Sequence, residues 1–143
     1  QFQGALLQHQ LTRLEEQSRR HEANADHLRK QLDEIGGVRA KTQLAGTTRH
    51  GCHLLVFDFD ANAFAGMTKS KFLAALRAEG VPVSGGYGAL NKAPWAEQLL
   101  MDRGFRRICG KTRLKRWQSQ NELPANNRMI ENTGWMGQSV LLA

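Results

Sequence analysis

The residues able to do chemistry are few and scattered. His9, His21 and His27 fall in one helical stretch, and His50 and His53 flank the start of an extended run that contains Cys52. His50, Cys52 and His53 have the right types for zinc. Alternation along a strand would nevertheless send neighbouring side chains to opposite faces, and no second ligand pair lies nearby, so surface or capping histidines are the favoured reading. Cys52 and Cys109 are far apart without a Cys-x-x-Cys pair, which fits free thiols in a reducing compartment. No serine or cysteine stands in a nucleophile-elbow signature. Asp58 and Asp60 are general acid-base candidates by type, and equally ordinary carboxylates at a strand end. The turn Gly85-Gly86-Tyr87-Gly88 lacks the P-loop lysine and the dinucleotide spacing, so a permissive turn outranks a phosphate cradle. These residues compose no catalytic set, which shifts attention to the elements that carry them.

The chain has 143 residues, 41% of them hydrophobic and 23% charged, enough for one domain with a single modest core. No apolar run approaches the roughly 20 residues needed to span a bilayer, and the amino end is a polar helical pattern and not a secretion signal, so a cytoplasmic location without membrane contact is expected. The net charge is +7, and much of the excess lies between residues 103 and 116, where seven Lys and Arg occur without an acidic residue. Phe105 and Trp117 sit in or beside this patch and invite a nucleic-acid reading through phosphate neutralisation and stacking. No binding-module motif accompanies them, and a solvated loop is the expectation.

One helical stripe runs through Leu7, Leu11, Leu14, Ser18, His21, Ala25, Leu28, Leu32 and Ile35 in alternating steps of four and three. Helix formers fill the other faces and Gly36-Gly37 supplies a stop, which predicts a helix of about 30 residues. The stripe loses bulk at Ser18, His21 and Ala25, favouring a helix laid across other parts of a protein over a free-standing zipper. Residues 38–49 read as a surface connection, and Cys52 to Phe59 as a largely buried strand. Thr68 caps a helix over residues 69–79, ended by Gly80. Val81-Pro82-Val83 reads as an edge strand, because Pro82 cannot donate to a ladder. Further helices are expected over residues 95–103 and 125–132, and a last strand over Ser139 to Ala143, whose apolar finish suggests further chain beyond it. The sum is an α+β unit with helices on one face of a short sheet.

In order, these stretches resemble the DegT/StrS family of pyridoxal-phosphate-dependent aminotransferases. The stretch from Phe2 to Leu7, with Gln10, Leu11 and Leu14, is similar to the family's long helix, and Arg19-Arg20 falls where that helix usually carries arginine. Gly36-Gly37-Val38 resembles the turn that follows. His53 to Phe57 resembles the first strand of the small domain, and Phe72 to Pro82 its helix and edge strand. Gly85-Gly86-Tyr87 with Leu90 and Pro94 is similar to a glycine-tyrosine-proline-proline-leucine segment of the family. Leu123-Pro124 and Trp135 to Ala143 resemble a late segment, and the likeness is interrupted mainly between residues 97 and 122. Gly88-Ala89 stands in place of the usual proline pair, Asn91 where an aromatic or histidine is common, and Asn127 where a glutamate often lies.

The resemblance implies a fold-type-I parent in which residues 1–37 are a long linking helix and residues 38–143 a small α+β domain, truncated at both ends. It implies a ping-pong transfer of an amino group from an amino-acid donor, glutamine or glutamate, to a keto-sugar, cyclitol or related cyclic ketone. The family's Schiff-base lysine, its pyridine-pairing aspartate and its phosphate-binding residues all precede the position of Gln1. Lys30, Lys41, Lys69, Lys71, Lys92, Lys111 and Lys115 do not sit in the lysine's context, so the implied partner is a large domain holding pyridoxal phosphate, in a homodimer. No catalytic, cofactor-binding or metal residue is assigned, and this segment alone is expected to be inactive. Tyr87 alone is carried over, as substrate-proximal, because a phenol can hydrogen-bond a sugar-like hydroxyl. The rivals are an interaction module that pairs through its long helix, and a basic nucleic-acid binder.

Overall fold

Alternation of burial along Leu54–Phe59 organises the fold: Leu55, Phe57 and Phe59 point inward, while Leu54, Val56 and Asp58 lie nearer solvent. In the computed structural model, which describes residues 2–142 apart from the side chain of Glu97, this strand (β2) lies inside a four-stranded antiparallel sheet. Its neighbours are β1, Val38–Ala40, and β4, Thr133–Gly137, and β4 also pairs with β3, Val83–Ser84. Register puts one set of residues on one face: Val38 opposite Phe59, Ala40 opposite Phe57, Leu55 opposite Met136, and Met136 opposite Val83. All of these are buried.

The chain divides into two compact units, residues 2–85 with 133–142, and residues 86–132. In the first, α1 (Phe2–Ile35) buries His21 and Ala25 and packs Leu28 and Leu32 on the core. The small residues that thin the stripe are therefore where the helix meets the rest of the unit most closely. Ala25 is fully buried, and Asn24 donates through Nδ2 to the Leu141 carbonyl at 2.7 Å. Gly36 and Gly37 both have positive φ, and a Cβ on Gly37 would collide with Ala63, so only glycine lets the chain turn from α1 into β1 there. Arg49 then ties the following loop back to α1, forking onto Glu15 at 2.8 and 3.1 Å and reaching Glu22 at 3.4 Å. Beside the helix end, the rings of Phe59, Phe64 and Phe72 cluster with centroids 4.5–5.2 Å apart, joining β2, a 3-10 turn at Ala61–Phe64 and α2 (Lys69–Ala78). Thr68 caps α2, accepting from the Lys71 amide, and Arg77 Nε donates to the Val83 carbonyl at 2.9 Å.

The second unit holds α3 (Pro94–Met101), α4 (Arg103–Cys109), α5 (Lys111–Ser119) and α6 (Pro124–Asn132). Pro94 opens α3, where its missing donor costs nothing. Asp102 ends α3 and caps α4 by accepting from the Phe105 amide at 2.9 Å.

Three expectations are corrected. Residues 38–40 are a strand, not connection, because Val38 and Ala40 alternate inward around Arg39 and complete the edge beside β2. The basic stretch is not a loop: Asp102 and Gly110 punctuate it into two short helices. The late strand lies at Thr133–Gly137 and not over Ser139 to Ala143. Gln138–Leu142 is a 3-10 turn that buries Leu141, while Gln1 and Ala143 lie outside the described residues.

Gly134 faces Phe57 directly, and a Cβ there would lie 2.5 Å from the Phe57 ring tip, which is itself 2% exposed and hemmed in. Gly134→Ala is expected to destabilise the protein by about 1–3 kcal/mol in denaturant titrations. The added Phe57→Leu change should recover part of that loss; strictly additive losses would show that the ring is not what occupies the space.

Candidate functional site

Lys69 organises the chain on either side of the second unit. From the first turn of α2 its Nζ donates to the Gly85 carbonyl at 3.0 Å and to the Thr133 carbonyl at 3.1 Å. One ammonium thereby holds the place where the chain leaves the sheet after β3 and the place where it re-enters as β4. Sequence reading had counted Lys69 only among lysines outside a catalytic context. The signal available was weak, a lysine just after a helix cap.

The glycine turn begins at this anchor. Gly86 has φ of +84°, and Tyr87 is 75% exposed. In the second unit, Asn91 and Asn121 exchange side-chain-to-carbonyl hydrogen bonds of 2.9 and 2.8 Å, and Asn126 Nδ2 approaches Asn91 Oδ1 at 3.4 Å. Asn91, a departure from the resembled pattern, is thus the hub tying the segment after Tyr87 to the loop before α6. Asn127 is partly buried, and its Oδ1 has no partner among the described residues.

The remaining candidates have structural tasks. Asp58 pairs with Lys41 at 2.6 Å, and Asp60 Oδ1 accepts from the Asn62 amide at 3.0 Å as a cap. His50 Nδ1 accepts from the Cys52 amide at 3.0 Å, and among the described residues no three His, Cys, Asp or Glu side chains group as a metal site. Cys52 is 1% exposed, and burial pushes its thiol above the ordinary range despite the neighbouring Arg29 guanidinium. Glu15 is held below the ordinary carboxylate range by its hydrogen bonds from Arg49. No helix among the described residues is long and apolar enough to cross a membrane.

Two cavities have distinct characters. One, of about 470 Å³, runs beside the first half of α1 and is lined by Leu7, Leu11, Leu14, Gln17 and the buried His21. The other, about 290 Å³, lies among α3, α4 and α5 and is mostly apolar. Neither is lined by a lysine or a carboxylate among the described residues.

Together these features define a scaffold that positions an exposed tyrosine turn and a leucine-striped helix. The model of the DegT/DnrJ/EryC1/StrS aminotransferase family matches residues 1–104, and the chain belongs to that family. A curated protein of Micromonospora echinospora, described as a putative L-glutamine:3-amino-2,3-dideoxy-scyllo-inosose aminotransferase, is 35% identical over 85 residues, 59% of this chain and 20% of its own length. The crystal structure of 3-amino-5-hydroxybenzoic acid (AHBA) synthase matches with a TM-score of 0.64 at 19% identity, over 94% of this chain and 32% of that one. At that identity the likeness shows the fold, the α+β arrangement expected for part of a fold-type-I enzyme. The chain spans about a fifth of the curated relative's length and a third of the solved structure's.

The family depends on pyridoxal phosphate. Lys69 is turned onto two carbonyls, Lys41 onto Asp58, and no cavity described above offers a lysine.

Two measurements check this geometry. Iodoacetamide should label the partly exposed Cys109 in the native state and spare Cys52 until the chain unfolds. Because the folded Cys52 value is raised, its contribution to stability is present at neutral pH and declines as pH climbs through that raised value; rapid native labelling of Cys52 would contradict its burial. Lys69→Met should speed proteolysis and amide exchange around Gly85 and Thr133, and unchanged protection there would rule out the anchoring role.

Proposed function

We propose that this chain supplies the long linking helix, residues 1–37, and the small domain, residues 38–143, of an aminotransferase that moves an amino group from glutamine or glutamate to a keto-sugar, cyclitol or related cyclic ketone. The observation that carries this reading is the family match over residues 1–104, and it is supported by two described cavities that no lysine lines. The reactive lysine then belongs to a large domain with which this chain works, and the chain alone is inactive.

The stripe on α1 supports such a partner. Leu7, Leu11 and Leu14 are 54–63% exposed, although they continue the same face that is buried farther along at His21 and Ala25. An apolar strip of this length fits docking against another domain. Tyr87 in this reading borders the substrate, offering its phenol to a ring hydroxyl, while the Lys69 anchor fixes where the turn begins. The two free cysteines fit a cytoplasmic setting, and the assembled enzyme is a homodimer.

Purified chain mixed with pyridoxal phosphate should give no stoichiometric imine absorbance. A band traced to one lysine and fixed by borohydride would overturn the assignment of the reactive group to another domain. In enzyme assembled with a large domain of the family, Tyr87→Phe should raise KM for the keto substrate about three- to tenfold, the effect of one lost hydrogen bond, with kcat little changed.

A further inference from the structure

The cavity among α3, α4 and α5 lies within the second unit, and five of its nine lining residues come from beyond residue 104, where the family match ends. Trp95 from α3, Phe105 from α4 and Trp117 from α5 line it with Leu99, Cys109 and Arg113. The three aromatic side chains are 52%, 43% and 43% exposed, so rings that would ordinarily fill a small helical core stand open to solvent. At about 290 Å³ the space is near the lower end of ligand clefts, roughly 300–1,000 Å³, and admits one small molecule.

Charge selects among small molecules. α4 and α5 carry seven Lys and Arg over residues 103–116 with no acid among them. Arg106 is engaged, donating from Nε to the Leu100 carbonyl at 3.1 Å and from Nη2 toward Met101 Sδ at 3.8 Å, which braces α4 against the end of α3. Arg113 lines the cavity itself and has no acidic partner among the described residues. A planar guanidinium beside aromatic walls suits a ligand with a flat apolar body and one carboxylate, because the fork can bind both oxygens while the rings take the body. The acid-free α4 and α5 on two of its sides make a neutral or cationic ligand a poorer match.

We propose that the α3–α5 cleft binds a small aromatic carboxylate, with Trp95, Phe105 and Trp117 holding the ring and Arg113 the carboxylate. The probe is 2-naphthoate, titrated into the full chain by calorimetry and by tryptophan fluorescence, with naphthalene-2-carboxamide as the uncharged counterpart. Binding should saturate at one site with Kd on the order of 0.1–1 mM. Arg113→Gln, at an exposed position, should weaken the acid about tenfold and leave the amide unchanged. Leu99→Trp, which fills the cleft, should abolish binding of both, with circular dichroism checking that the helices persist. Absence of saturation in the millimolar range overturns the proposal, as does equal binding of the acid to Arg113→Gln and the unaltered chain. Tight, steeply salt-dependent binding of a single-stranded oligonucleotide that 2-naphthoate cannot displace would instead assign the basic helices to nucleic acid and sink the small-ligand reading.

Discussion

Phe57 lies at the centre of the sheet against a strand that offers it no side chain. Gly134 is its direct partner in the register, and the ring takes the volume a Cβ would need. That contact lets β4, which follows β3 in sequence by nearly fifty residues, sit between β2 and β3 instead of adding at an edge. The first unit's core depends on that insertion, since Met136 joins Leu55 to Val83 across three strands only when β4 is in place. Lys69 then secures both sides of the same junction, with one ammonium on the carbonyls of Gly85 and Thr133. A nonlocal β pairing closed over a long excursion is entropically costly to form, and an anchor at its two ends offsets part of that cost.

Functional economy follows from the same architecture. Several charged groups are committed to structure: Asp60 to a cap, Asp58 to Lys41, Glu15 and Glu22 to Arg49. Exposed instead are the leucines of α1, Tyr87 and the aromatic side chains that line the α3–α5 cleft.

Much of this was legible before any coordinates. The four-three stripe located α1, because a helix returns the same face every three to four residues, and branched and aromatic residues marked β2. Thr68 announced α2, and the order of short motifs pointed to the family that residues 1–104 match. Two of the misreadings share one cause. A three-residue edge strand at Val38–Ala40 and a strand holding two glycines at Thr133–Gly137 carry little local propensity, so partners across the sheet decide them. Residues 103–119 have charge where a periodic pattern was sought, and they become helical through Asp102 capping one segment and Gly110 separating it from the next.

By itself the sequence determined α1, β2 and α2, the class of fold and the kinship, since periodicity, capping residues and ordered motifs are properties of neighbours along the chain. Tertiary structure alone decided that β4 enters mid-sheet beside Phe57, that Lys69 bridges two distant carbonyls, that Asn91 bonds Asn121, and that three aromatic rings surround a cleft with Arg113. Each joins residues from separate elements, and such pairing is set by the packing of faces and the satisfaction of buried polar groups, which no local window of residues contains.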